Sequence, residues 1–326
     1  QGLLAADEWN LFHFGAKCDG VANDGLAVKV AATLGIPVRT SGTILMDNHT
    51  VTIAADGGGF YGGGKFYVTG FLVDPSTTDG YSGFFRLDGV KGFTFDSVDF
   101  GRGVGTGRVH GVTAVNCEEI SLRNVDCDHS DQAYSHLYLF FIWKYSKNCS
   151  IVDCRVLNSG NMVATGGDFA SGSATGLVEG VQILNNYCKD VQSEAIDINY
   201  NTHDVVIDNN TLINCAFGEP TGEPVDIGGG DCDNIKITNN TINNSGDVAS
   251  AIWVKLGTKR VLIQGNVIDG GWAGGTDNTS KQAIQLHTDV EDVIITDNII
   301  SGYSRFTNTY QVLGVVITNN HVTCDQ

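Results

Sequence analysis

The chain has 326 residues, and its 19 basic and 37 acidic residues give a formal net charge of −18. Because proteins bind nucleic-acid phosphates with basic surfaces, this charge excludes DNA and RNA as expected partners. Glycine accounts for 42 residues and proline for only 4, a composition that fits neither collagen nor a disordered chain. The longest apolar run, residues 137–143, is far shorter than the roughly 18 residues that span a bilayer, so no membrane insertion is expected.

The first predicted element is a short helix over residues 23–34. Asn23 and Asp24 are suited to its N-cap, and Gly35 followed by Pro37 ends it. Its expected buried face consists of apolar residues spaced by four along the helix, namely Leu26, Val30 and Leu34. We expect this helix to cover the end of the domain that follows it.

Beyond this helix the sequence is repetitive. Nine six-residue segments align without gaps and begin 22 to 32 residues apart, at Phe93, Ile120, Cys149, Val181, Val205, Ile235, Val261, Val293 and Val315. Each segment has apolar residues at its first and third positions, which is the period of a strand with one buried face. A turn residue and a second short apolar run follow. A period of this length is typical of a solenoid, here with three short strands per repeat.

Asparagine occupies the sixth position of six consecutive segments, and the segment before them has Cys154 there. These residues are Asn186, Asn210, Asn240, Asn266, Asn298 and Asn320. Asparagine tolerates the left-handed backbone of a tight corner, and its amide can bond to the same amide one layer away. The sequence therefore predicts an all-β fold: a right-handed, single-stranded parallel β-helix over residues 41–326. Residues 1–40 form an N-terminal segment with the capping helix.

The nine cysteines form no C-x2-C pair and no zinc-finger spacing with histidine. Four of them stand among apolar residues of the predicted strands: Cys149, Cys154, Cys188 and Cys215. A free thiol in such a place behaves as a small buried apolar side chain. The sequence therefore predicts free, buried cysteines rather than a disulfide framework.

A second alignment places polar side chains on the outer surface of the solenoid. Four strands upstream of the aligned segments read A-I-D-I-N, P-V-D-I-G, A-I-W-V-K and A-I-Q-L-H. By alternation, their third positions form one outward column: Asp197, Asp226, Trp253 and Gln285. Their fifth positions form the next column: Asn199, Gly228, Lys255 and His287. Glu194 and Glu223 stand directly before the first two strands.

The candidate catalytic residues are the four acids Glu194, Asp197, Glu223 and Asp226. Carboxylates stacked about 5 Å apart raise the pKa of one member of a pair. One protonated and one ionised carboxyl group can cleave a glycosidic bond. Two other interpretations stay open: the acids also fit a solvated acidic surface, or, with Asp231 and Asp233, a Ca2+ site. Calcium apart, no metal or cofactor is expected.

Trp253 is a candidate sugar-binding residue, because an exposed indole is poorly solvated unless something such as a sugar ring stacks on it. Lys255, Gln285 and His287 are candidate substrate-binding residues beside it. Tyr200 and Trp272 could extend the same surface.

A second aromatic segment covers residues 134–143. It adds further candidates for a sugar platform, namely Tyr134, His136, Tyr138 and Trp143. Leu139 and Phe141 are interpreted as core. An apolar flank near Tyr138 and Phe140 would be covered by another chain, which predicts a homotrimer.

Lys255 and His287 also support a competing chemistry. A lyase that cleaves a uronate-containing glycan by β-elimination needs a base for the C5 proton and a cation against the uronate carboxylate. Lys255 with Arg260 could supply the cation, although the charge of −18 repels a polyanion. A non-catalytic, glycan-binding β-helix is the third interpretation.

Residues 14–28, F-G-A-K-C-D-G-V-A-N-D-G-L-A-V, resemble the opening motif of the pectate-lyase-like β-helix superfamily, closest in character to phage tailspike polysaccharide depolymerases. Gly25 stands where the family usually has threonine. The resemblance implies an endoglycosidase that hydrolyses a bacterial surface polysaccharide (O-antigen, capsule or exopolysaccharide) with Glu and Asp on neighbouring coils. It also implies an extracellular or virion location.

Overall fold

The computed structural model describes residues 9–47, 50–69, 83–102, 110–128, 138–166, 176–216, 222–244, 250–271 and 281–324, with the backbone alone at Arg102, Tyr138 and Cys324. Over this part of the chain the backbone coils into a right-handed parallel β-helix, as the repeats predict. Most coils contain three short strands, and each strand pairs in parallel with its equivalent in the next coil. In these ranges no helix is long and apolar enough to cross a membrane.

The strands form three stacks along the solenoid axis. Stack 1 contains Val51–Ile53, Gly83–Asp88, His110–Val115, Tyr138–Trp143, Asn161–Gly166, Ile196–Asn199, Val225–Gly228 and Ser250–Lys255. Stack 2 contains Pro37–Arg39, Gly59–Tyr61, Thr94–Asp96, Ser121–Arg123, Ser150–Val152, Val178–Glu179, Gln182–Leu184, Thr202–Asp208, Asp233–Thr238 and Lys259–Gln264. Stack 3 contains Asp19–Asn23, Thr43–Leu45, Lys65–Val68, Asp99–Arg102, Asp126–Asp128, Arg155–Leu157, Tyr187–Val191, Thr211–Cys215, Thr241–Asn243, Val267–Asp269, Ile299–Tyr303 and His321–Cys324. Two long strands, Gln282–Thr296 and Arg305–Thr318, continue both stack 1 and stack 2 in the last coils.

The core lies inside the coils and changes its composition along the axis. In the N-terminal coils it is built from phenylalanine rings whose centroids lie 4.9 to 6.0 Å apart, among them Phe60, Phe66, Phe85 and Phe95. In the C-terminal coils aliphatic side chains replace them, as in the fully buried row Ile198, Ile227, Val254 and Leu286. Burial of each such side chain contributes about 1.5–3 kcal/mol. Because alternate residues point inward, the residues between them are held on the outer surface.

The predicted asparagine ladder is confirmed. From Asn210 to Asn320, each side-chain oxygen accepts a hydrogen bond from the side-chain amide of the asparagine one coil earlier, at 2.8–3.0 Å. The same oxygen also accepts from the backbone N–H of that earlier asparagine, at 2.9–3.0 Å. The N–H of Cys154 donates to Asn186 at 2.9 Å and continues the row by one coil. The ladder therefore satisfies buried polar groups inside the solenoid.

The N-terminal helix spans Gly25–Ala32, preceded by the 3-10 helix Leu11–Phe14, and it packs against Val51–Ile53. Its buried face is made of small and β-branched residues, namely Gly25, Ala27, Val28, Ala31 and Ala32. The predicted buried face is wrong, because Leu26, Val30 and Leu34 are exposed. The carboxylate of Asp24 accepts hydrogen bonds from the N–H groups of Lys17 and Cys18 instead of capping the helix. This tether and the close approach that alanine allows turn the larger side chains to solvent. The domain boundary at residue 40 stays a prediction.

The eight described cysteines are free and buried, as predicted. Burial raises the pKa of Cys149 and of Cys154 to about 12, so both remain neutral thiols at physiological pH. They act as small core side chains.

The flank on which the homotrimer was predicted is not built as expected. Phe140 is fully buried inside the coil between Val112 and Val163, its register partners in neighbouring coils. The side chain of Tyr138 lies outside the described residues. Exposed apolar side chains occur instead on the last coils, for example Ile294 and Val316. The homotrimer therefore stays a prediction without the argument from Phe140.

Candidate active site

The pairing register confirms the two outward columns of stack 1. The first column runs through Asp197, Asp226, Trp253 and Gln285 as direct register partners. In the second column, Asn199 pairs with Gly228 and Lys255 pairs with His287. The flanking isoleucine, valine and leucine side chains are fully buried, and they fix the columns on the outer surface.

The acids of these coils are not a solvated surface. Asp197 and Asp226 are only 7% and 6% exposed, and Glu223 is 2% exposed. Glu194 is partly buried. We call these four residues the acidic strip. Burying carboxylates so close together is costly unless protons or cations compensate their charge.

Lys255 supplies one such compensation. Its Nζ lies 2.7 Å from Oδ2 of Asp226, and it also lies 3.8 Å from the ring centroid of Trp253. Gly228 makes room for this contact, because a Cβ at that position would lie 2.2 Å from Cγ of Lys255. The lysine therefore crosses over a glycine to reach the carboxylate of the preceding coil.

Asp226 and Asp197 are held in different environments. Burial raises the pKa of Asp226 to about 6, Lys255 opposes that rise, and the charge of Glu194 adds to it. Burial raises the pKa of Asp197 well above its usual value, and the charges of Asp226 and Glu194 reinforce the effect. A hydrogen bond from Asn199 to Asp197 opposes it in part. Near neutral pH the pair thus combines a carboxyl group that tends to keep its proton with one that a lysine keeps ionised.

Glu194 links its own coil to the preceding one, which carries Asn161. Its Oε2 accepts hydrogen bonds from the Ser193 hydroxyl and from Nδ2 of Asn161, the latter at 3.3 Å. One carboxylate oxygen each from Glu194, Glu223 and Asp226 lie within 4.8 Å of one another. Such a group has the spacing to hold a divalent cation.

The two other acids of the calcium hypothesis lie apart from this group. Asp233 is paired with Arg260, and Asp231 is exposed in the turn before it. Among the described residues, only Glu194, Glu223 and Asp226 have the spacing of metal ligands. The pairing of Arg260 with Asp233 also leaves the lyase hypothesis without its second cation.

Several buried polar atoms around the acidic strip have no hydrogen-bond partner: Oδ1 of Asp226, Oδ1 of Asn161, Oγ of Ser250 and Nε1 of Trp253. Native proteins leave few such atoms, and those that occur call for an explanation such as an unseen ligand. Asn161 and Ser250 were missed by the sequence reasoning. The signal was available, because the first position of N-M-V-A, E-A-I-D, E-P-V-D and S-A-I-W aligns Asn161 with Glu194, Glu223 and Ser250.

Aromatic rings continue from the acidic strip toward the C-terminal coils. The imidazole of His287 lies 6.5 Å from Trp253 in an edge-on arrangement and is stacked on Tyr310 at 4.9 Å. Thr288 fixes the imidazole through a contact of 2.5 Å between its hydroxyl and Nδ1. Gln285 accepts a hydrogen bond from Gln282 at 2.7 Å. We call Trp253, His287 and Tyr310 the aromatic row. Sequence reasoning missed Tyr310, since its strand, F-T-N-T-Y, lacks the A-I start of the aligned strands.

The other predicted site residues lie elsewhere or cannot be placed. Tyr200 follows Asn199 in a left-handed turn, outside both columns, with its ring against Gly229. The backbone of Tyr138 lies opposite Asn161, and its side chain is outside the described residues. Also outside them are Trp272, Tyr134 and His136.

Phe141 and Trp143 are buried, but they do not belong to the main core. With Val115 and Ala164 they form a separate apolar cluster on the outer side of stack 1. Phe141 precedes Asp197 by two coils in the first column, through Ala164. The acidic strip is therefore bordered by an apolar cluster on its N-terminal side and by the aromatic row on its C-terminal side. Leu139 belongs to the main core, as predicted.

No protein-family model matches the chain, and no curated protein matches it. Solved structures share its fold. The surface adhesin PfbA of Streptococcus pneumoniae is similar with a TM-score of 0.60 and 12% identity, over 97% of this chain and 93% of that one. The GH136 lacto-N-biosidase from Eubacterium ramulus gives a TM-score of 0.65 and 12% identity, over 98% of this chain and 67% of that one. The alginate lyase from Paenibacillus sp. str. FPU-7 gives 0.63 and 11%, over 91% and 96%. These likenesses show the fold of the chain, a parallel β-helix.

Proposed function

We propose that the protein is an endoglycosidase that hydrolyses a bacterial surface polysaccharide: an O-antigen, a capsule or an exopolysaccharide. One observation carries this proposal. Two buried carboxyl groups, Asp197 and Asp226, lie in register on neighbouring coils; the pKa of Asp197 is raised well above its usual value, whereas Lys255 limits the rise in the pKa of Asp226, which is about 6. That division of roles is what hydrolysis of a glycosidic bond requires.

Asp197 is suited to the role of general acid. Its raised pKa keeps a proton available near neutral pH, and it would donate that proton to the glycosidic oxygen as the bond to the anomeric carbon breaks. Glu194 assists by charge alone, because its negative charge makes loss of that proton less favourable. The leaving sugar departs as a neutral alcohol.

Asp226 is suited to act on the anomeric carbon. Lys255 holds it ionised, and its Oδ1 has no hydrogen-bond partner to displace. Parallel strands place the two aspartates about 4.8 Å apart in the backbone. Side chains on the same face of adjacent parallel strands share about this spacing, which is nearer to the separation of about 5–5.5 Å between the carboxyl groups of retaining enzymes than to the larger one in inverting enzymes. Asp226 would therefore form a glycosyl ester, which water hydrolyses while Asp197 takes up the proton of that water.

The negative charge of the acidic strip also restricts the kind of sugar that can lie at the cleavage point. Lys255, the cation that contacts the acidic strip, is paired with Asp226, so a uronate carboxylate at the cleavage point would meet mainly negative charge. This argues for an uncharged sugar at the scissile bond and against β-elimination on a polyuronate. A purely binding β-helix would not need buried carboxylates with raised pKa values.

The experiment is a screen of purified O-antigen, capsular and extracellular bacterial polysaccharides. We expect new reducing ends without the ultraviolet absorbance of an unsaturated uronate. Asp197→Asn and Asp226→Asn should each abolish most of this activity. The matched control is Asp231→Asn, which changes an exposed acid outside the acidic strip and should leave turnover unchanged. Unsaturated products, or full turnover in both active-site variants, would refute the proposal.

The resemblance to tailspike depolymerases supports two further expectations. We expect the enzyme to work outside the cell or on a virion, where surface polysaccharides are reached. We also expect a homotrimer, and light scattering at micromolar concentration that gives the mass of one chain would refute this part.

A further inference from the structure

We infer that Tyr310, stacked on His287, forms a sugar-binding subsite three coils away from Asp226. The inference rests on the proposed function, since it takes the same polysaccharide as ligand. It adds that the polysaccharide lies along the solenoid axis, toward the C-terminal coils.

The geometry of the aromatic row supports this direction. His287 and Tyr310 are register partners in the outward column that continues from Lys255, and Trp253 lies beside Lys255 in the neighbouring column. The row therefore follows the axis rather than the circumference of a coil. Three coils correspond to about 14 Å at the spacing of parallel strands. That length accommodates more than one sugar ring between the scissile bond and Tyr310.

Tyr310 is both fixed and accessible. Its ring lies nearly parallel to the imidazole of His287, at 23° and 4.9 Å, and its side chain is 53% exposed. His287 is itself held by Thr288. The imidazole thus covers one face of the tyrosine ring, while the side chain as a whole stays more than half exposed. A rigid, half-open aromatic ring binds the apolar face of a sugar at small cost in conformational entropy.

Polar partners for sugar hydroxyl groups stand beside the row. Gln285 and Asn308 are register partners in the neighbouring column, next to His287 and Tyr310 respectively. Amide side chains can both donate to and accept from hydroxyl groups. The combination of an open ring and a parallel row of amides is suited to a saccharide rather than to an apolar peptide.

A subsite so far from the chemistry should act only on long substrates. Binding energy from a remote sugar can lower the barrier for a chain that reaches Tyr310, and it cannot act on a fragment that ends near Trp253. Loss of Tyr310 should therefore weaken binding of the polysaccharide and leave cleavage of short fragments unchanged.

The test measures binding separately from cleavage. Full-length chains carrying Asp226→Asn are run in native gels that contain each polysaccharide of the screen, with and without Tyr310→Ala. We expect Tyr310→Ala to lower the affinity for the polysaccharide about tenfold, seen as weaker retardation in the gel. A change of this size corresponds to the loss of one aromatic contact. Tyr310→Phe keeps the ring and should bind normally. Leu313→Ala removes another exposed apolar side chain on the same strand and should also bind normally.

The outcomes separate this inference from the proposed function. If the unsubstituted chain binds a polysaccharide without cleaving it and Tyr310→Ala weakens that binding, the subsite stands and the hydrolase proposal fails. If a polysaccharide is hydrolysed and Tyr310→Ala binds and cleaves it normally, the subsite is refuted. The subsite is also refuted if no polysaccharide of the screen retards the chain.

Discussion

The same coils carry two kinds of buried polar residue, one inside the solenoid and one outside it. Inside, Asn240 donates to Asn266 and to the carbonyl of Ile207 and accepts from Asn210, so its amide is fully used. Outside, in the same coil, Asp226 has one oxygen on Lys255 and the other without a partner. A satisfied network rigidifies a fold, whereas unsatisfied groups and shifted pKa values collect where a ligand binds. The difference thus separates structural polar residues from functional ones on a single backbone.

The largest expected effect is on the inner side. Asn240→Ala leaves the N–H of Asn210, the Asn210 amide and the Ile207 carbonyl each short of a partner, and each loss costs about 1–3 kcal/mol. We expect a loss of about 3 kcal/mol or more in the free energy of unfolding, measured in urea. Asn243→Ala, at an exposed position of the same coil, is the control and should change little. Equal losses of unfolding free energy in the two variants would contradict the view that the buried asparagine ladder, and not any asparagine of the coil, stabilises the fold.

On the outer side the expected effect is on rate. Asp197→Asn removes the proton donor and Asp226→Asn removes the charge, with almost no change in shape. We expect kcat to fall at least about 100-fold in each, which corresponds to about 2.7 kcal/mol in the barrier. Polysaccharide binding in native gels should survive both changes. Loss of binding together with rate would indicate misfolding rather than lost chemistry.

The buried Asp226 on the outer side should also make the free energy of unfolding depend on pH. Because the pKa of Asp226 is raised to about 6, its proton is held more tightly in the folded chain than in the unfolded one. Its stabilising contribution is fully present below its ordinary pKa and is lost as the pH rises through about 6. The free energy of unfolding should therefore fall by roughly 2 kcal/mol between pH 4 and pH 7. In Asp226→Asn this fall should be smaller, and an identical pH profile would contradict the assignment.

A smaller effect is expected from the glycine beneath Lys255. Gly228→Ala places a methyl group where the lysine stem passes, so the Lys255–Asp226 contact should loosen. Since Lys255 lowers the pKa of Asp226, its displacement should move the acidic limb of the pH–rate profile to higher pH. We expect kcat/KM near neutral pH to fall by about tenfold. The distant Gly63→Ala, where a Cβ meets no atom within 4 Å and the backbone is not left-handed, tests whether any glycine loss has this effect.

Removal of divalent cations is expected to have no effect. The proposed mechanism compensates the acidic strip with Lys255 and with protons. Turnover of a confirmed substrate should therefore be unchanged after treatment with EDTA. Loss of activity that Ca2+ restores would instead assign a metal to Glu194, Glu223 and Asp226.

The sequence predicts those parts of the molecule that repeat. The asparagine ladder and the two outward columns follow from register alone, because a parallel β-helix stacks equivalent positions. The capping helix does not repeat, and its face was set by the tether of Asp24, which no periodicity reveals. Burial of the acidic strip and the crossing of Lys255 over Gly228 depend on contacts between coils. Tyr310 was missed because its strand departs from the repeat.

The most direct test of the central claim is a titration of the aspartate carboxyl groups by NMR with 13C-labelled aspartate. Asp197→Asn and Asp226→Asn assign the two resonances. We expect Asp226 to titrate near pH 6 and Asp197 above its usual range, whereas Asp19, whose pKa is lowered by the N–H groups of Ala22 and Val21, should titrate below it. Ordinary midpoints near pH 4 for both Asp197 and Asp226 would mean that the acidic strip is a solvated surface and would contradict the account.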